Sequence, residues 1–158
     1  MAITPFLYVA HLRGLIEAQE VERSPYHNES VVINLVERLS FEESLRVLAE
    51  PQYETYKIPG LVQLAKNSFQ EQRFDDTKRV AQLLIAKDYP GKKDMAALID
   101  RLADIQALAP DDPRRYSMVV SGLRNDFRDS ETALRFIEQS LRQLGATKDL
   151  SALFYLKI

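Results

Sequence analysis

The chain contains no cysteine. That excludes a disulfide framework, any thiolate metal site and a thiol nucleophile, and it fits a reducing cytoplasm, the expected location. Histidine is nearly absent as well: His11 and His27 stand alone, neither in an HExxH or ExxH arrangement that would place two ligands on one helical face. No metal site is therefore expected. The five glycines are scattered, and none belongs to a GxxxxGKS/T, GxGxxG or GxSxG cradle. Phosphate-loop, dinucleotide and nucleophile-elbow chemistries lose their usual scaffold, and no cofactor is expected. Long apolar runs are missing too. The stretch from Ile3 to Ala10 has no basic residue before it and is broken by His11 and Arg13, so neither a signal peptide nor a membrane span is expected. Alternating strands and Asn-Gly or Asp-Gly turns do not occur, which argues against a sheet.

What the chain has is helical periodicity. Met95, Leu98, Ile99, Leu102 and Ile105 recur at the i, i+3, i+4, i+7 spacing of one buried face. The same spacing holds for Val32, Leu35, Val36 and Leu39, for Leu61, Leu64, Ala65, Ser68 and Phe69, and for Leu134, Ile137, Leu141 and Leu144. A broader face in the first helix is formed by Tyr8, Val9, Leu12, Leu15 and Ile16. Thr4-Pro5, Ser24-Pro25 and Asp112-Pro113 pair an N-cap with a first-turn proline. Ser40 and Glu43 read as a capping box. Gly91 and Gly145 follow apolar-periodic runs and suit the left-handed residue that ends a helix, whereas Gly122 lies inside one and suits close packing. Pro51 to Gly60 reads as a loop, and Leu153 to Ile158 is too short to assign. The expected architecture is all-α: a single domain over residues 1–158, built as a compact multi-helix bundle or a short α-solenoid of helical hairpins, with eight or nine helices.

Charge nearly cancels, at −2 net, although residues 1–50 hold four arginines against eight glutamates. A nucleic-acid binder generally needs a basic stripe that releases counterions from phosphates, and this balance disfavours one. The adjacent acids Glu42/Glu43, Asp75/Asp76 and Asp111/Asp112 each sit at a helix start, where the positive end of the helix dipole accounts for them without catalysis. Phe41-Glu42-Glu43 is echoed thirty-three residues later by Phe74-Asp75-Asp76, and partly by Phe127-Arg128-Asp129, an aromatic staple followed by first-turn acids.

Leu61, Leu64 and small Ala65 on one helix, with Thr77 and Ala81 on the next, make residues 61–90 resemble a tetratricopeptide helical hairpin, although Ser68 stands where that family usually has an aromatic. The resemblance implies a peptide-binding groove faced by Val62, Lys66 and Phe69. Aromatics outside the periodic faces, Tyr53, Tyr56, Phe154 and Tyr155, add candidate partner anchors. The functional expectation is a non-enzymatic protein-interaction module: an adaptor, a dedicated chaperone or a small subunit of a larger assembly, with a protein or peptide partner. The alternative is a helical subunit that contacts nucleic acid in a ribonucleoprotein or defence complex through Arg114, Arg115, Arg124 and Arg128.

Overall fold

The computed structural model describes residues 29–147 apart from Asp88. Every regular element among them is helical: α1 Glu29–Arg38, α2 Phe41–Leu48, a 3₁₀ turn Pro51–Tyr56, α3 Lys57–Gln70, α4 Phe74–Ile85, α5 Lys92–Gln106, α6 Arg114–Ser121, a π turn Gly122–Asp126, and α7 Ser130–Thr147. The larger count from sequence includes helices opening at Thr4 and Ser24, and those starts, like Leu153 to Ile158, lie outside the described residues. No described helix is long and apolar enough to cross a membrane. The chain divides into two compact units, residues 1–67 and 68–158.

In the first unit, Ser40 caps α2 as expected: its Oγ accepts from the Glu43 amide at 3.2 Å and its hydroxyl donates to Glu43 Oε1 at 2.8 Å. This fixes the turn after α1, so that Val32, Leu35 and Val36 are buried with Phe41, Val47 and Leu48. The segment from Pro51 to Gly60 is not a loop. Pro51 opens the 3₁₀ turn and Pro59 falls in the first turn of α3, where a missing N–H removes no intrahelical bond. Gly60 is needed for close approach. A Cβ there would stand 2.6 Å from Leu48 Cδ2 and 2.7 Å from Val32 Cγ1.

The second unit begins with the last turn of α3. The turn into α4 is a Schellman motif: Arg73 N–H donates to Ser68 O at 2.8 Å and Gln72 N–H to Phe69 O at 3.0 Å. It places Gln72 at φ 59°, a left-handed conformation that a glycine would adopt without steric cost. Gln72→Gly should therefore stabilise the protein by about 1 kcal/mol, seen as a higher urea midpoint at unchanged slope; a lower midpoint would mean that the glutamine side chain supports the turn. Ser68 and Thr77 hydroxyls meet at 2.9 Å, and Thr77 Oγ1 also donates to Arg73 O, so Ser68 makes a buried polar tie.

Both expected stop glycines are misplaced. α4 ends at Ala86 in ordinary right-handed geometry, while Gly91 precedes α5 at φ −88° and leaves room for the Tyr89 ring, whose nearest carbon would lie 2.5 Å from an added Cβ. Gly145 lies within α7. Gly122 behaves as expected. The ring of Phe69 lies against its backbone, 2.5 Å from where a Cβ would be. Phe69 in turn touches Phe74 at a centroid distance of 5.9 Å and Phe127 at 5.7 Å. α4 and α5 make the most extensive helix pair, joining Val80, Ala81 and Leu84 with Met95, Leu98, Leu102 and Ile105 in the buried set; Ile99 is half-buried.

At the π turn, Phe127 N–H reaches Gly122 O at 3.0 Å, one residue further back than in an α-helix. The widened turn holds Asp126, only 5% exposed, against α5, where Arg101 Nε donates to Asp126 Oδ2 at 2.6 Å. Arg128, at φ 52°, then redirects the chain into α7.

Candidate interaction surface

α7 starts at Asp129, whose carboxylate accepts from the Thr132 amide at 3.0 Å and from the Thr132 hydroxyl at 2.6 Å. This cap satisfies a backbone donor in the first turn of the helix. Thr132, Ala133, Phe136, Ser140 and Leu144 turn inward, and Phe136 meets the Tyr116 ring at 6.5 Å. Of the stripe expected in the core, Leu144 is buried, but Leu134 is 56% exposed and Ile137 and Leu141 are only half-buried beside it. The sequence pattern misleads because Ala133, Thr132 and Ser140 are small or polar, yet one large aromatic, Phe136, is enough to anchor their face. Along the outer edge of the leucine stripe run Glu131, Arg135, Glu138 and Arg142, all exposed.

Three of the four candidate nucleic-acid arginines are engaged by acceptors of their own unit. Arg114 binds Asp112 at 2.7 Å and Arg128 binds Asp94 at 3.0 Å. Arg115 donates to Leu108 O at 2.6 Å and lies over the Phe74 ring at 5.8 Å. Arg124 is exposed. The Arg114 guanidinium, then its backbone amide, hold the Asp112 carboxyl at a pKa of about 2, below its ordinary 3.8. A depressed carboxylate supports the folded state above its ordinary pKa and loses that support as pH falls from about 4 toward 2. The carbon resonance of the Asp112 carboxyl should accordingly titrate near 2, and Arg114→Gln should move the midpoint upward; an ordinary midpoint in the unmodified chain would mean that this pair is not formed in solution. Around Asp94, burial and then the Asp94 charge raise the Tyr89 phenol, and the hydrogen bond to Asp94 raises Arg128 further.

Of the other partner candidates, Tyr53 is 1% exposed and Phe69 is fully buried, so neither presents its ring to a groove. Tyr56, Val62 and Lys66 are half-buried. Phe154 and Tyr155, like His11 and His27, lie outside the described residues. An open depression of about 350 Å³ is lined by Gln72, Arg73, Phe74, Asp75, Asp76 and Gln106. Its polar groups engage one another, Arg73 with Asp76 at 3.2 Å and Gln106 with Asp75 at 3.2 Å. Among the described residues no group of three histidines or acids could hold a metal ion.

The described residues define a class, an all-helical fold. Comparison with protein-family models, with curated proteins and with solved structures finds no match to this chain.

Proposed function

We propose that this chain is a non-enzymatic protein-interaction module and that the outer flank of α7 is its contact surface. The observation that supports this reading is the leucine stripe: Leu134, with Ile137 and Leu141 at i+3 and i+7, lines one side of a helix whose inward face is already filled by Phe136 and its neighbours. Covering a leucine side chain removes apolar surface from water and recovers up to about 2 kcal/mol. A helix face of this kind suits an adaptor, a dedicated chaperone or a small subunit equally, because each presents a preformed apolar stripe to a partner.

The test is capture from native host extract with the tagged full chain, with and without nuclease, beside Leu134→Asp. Because Leu134 is exposed, the aspartate variant should keep its circular dichroism while losing a stoichiometric protein partner that survives nuclease in the unmodified chain. A partner held equally by both proteins would move the interface elsewhere. Recovery of nucleic acid, or loss of every partner after nuclease, would overturn the reading in favour of the arginine segment.

A further inference from the structure

From the charge pattern on the same flank, we infer that the partner of α7 is α7 of a second copy of this chain, packed antiparallel about a two-fold axis. The inference rests on the interaction reading above and adds the identity of the partner. Glu131, Arg135, Glu138 and Arg142 follow one another at spacings of four, three and four along the edge of the Leu134, Ile137 and Leu141 stripe. A two-fold axis perpendicular to the helix brings this edge against the same edge of the other copy with the order reversed. Glu131 then faces Arg142 of the second copy, and Arg135 faces Glu138, so the two-fold gives four opposite-charge pairs. In a parallel pair related by a two-fold along the helices this edge lies against the opposite edge of the other stripe, so the four charges do not meet one another. The edge is therefore self-complementary in one orientation only.

All four side chains are exposed, and none of them makes an ion pair among the described residues; Arg135 donates only a 3.3 Å hydrogen bond to Thr132 Oγ1. Their heads are available at the cost of at most that one hydrogen bond. Exposed ion pairs are individually weak, so the division of labour is physical: the leucine stripe supplies affinity, and the charges select antiparallel over parallel pairing.

Sedimentation velocity on the 158-residue chain tests this with charge reversals at exposed positions. The unmodified chain should show a concentration-dependent dimer. Arg135→Glu with Arg142→Glu should weaken it at least about tenfold, as should Glu131→Arg with Glu138→Arg. Mixing those two double variants should restore association, and so should reversing all four positions in one chain, since the order of signs is then inverted but still self-complementary. A dimer indifferent to the reversals, or double variants that fail to rescue one another, overturns the antiparallel assignment. A chain that sediments as a monomer at every concentration overturns the second copy as partner. The capture experiment with Leu134→Asp separates that result from failure of the interaction reading, because a different protein lost from the same face leaves the surface standing.

Discussion

Arg101→Met should cost about 3 kcal/mol of stability, because it leaves the Asp126 carboxylate buried against α5 with its charge unanswered. The expected value lies at the low end for a broken buried pair, since the Arg101 side chain keeps a quarter of its surface in water and solvent can partly replace it. Removing both charges is the informative control. Arg101→Met combined with Asp126→Leu should recover most of the loss, as apolar groups of similar size relieve the desolvation that the lone carboxylate suffers. Urea unfolding followed by circular dichroism reads both variants. A single variant that loses under about 1 kcal/mol would show that the pair does not hold the π turn in place.

Phe69→Ala should cost about 4 kcal/mol, the range for an aromatic removed from a closed core. Its ring is fully buried and is gripped on three sides by Phe74, Phe127 and the bare backbone of Gly122. Gly122→Ala should cost about 2 kcal/mol in the otherwise unmodified chain, because the new methyl overlaps that ring. In the Phe69→Ala background the same methyl enters the vacated space, so the two losses should fall well short of additive. Additive losses would mean that the glycine serves the π turn and not the ring. A Phe69→Ala protein that folds as before but loses a bound peptide would return Phe69 to the groove implied by the tetratricopeptide resemblance.

Much of the fold was legible because it rests on local physics. The capping box at Ser40, the buried faces of α1, α3 and α5 and the packing glycine at 122 all follow from backbone donors that need acceptors and from the 3.6-residue period. The turn at Gln72 left no signal, since the sequence offers no glycine where the left-handed residue stands. Gly91 and Gly145 misled for the converse reason: a glycine can serve a close ring contact or sit in a helix as readily as it ends one.

The interaction surface was the least legible part. Leu134, Ile137 and Leu141 satisfy the rule for a core face as well as any stripe in the chain, and periodicity cannot say which of two adjacent faces turns inward. Sequence by itself determined that the described residues are helical, where several of their helices start and that no cysteine thiol is present. Only the tertiary structure decided the rotation of α7, the burial of Tyr53 and Phe69 and the pairing of Arg128 with Asp94. Those outcomes depend on which surfaces meet across distant parts of the chain, and hydrophobic burial, being non-directional, leaves that choice to the fit of the whole core.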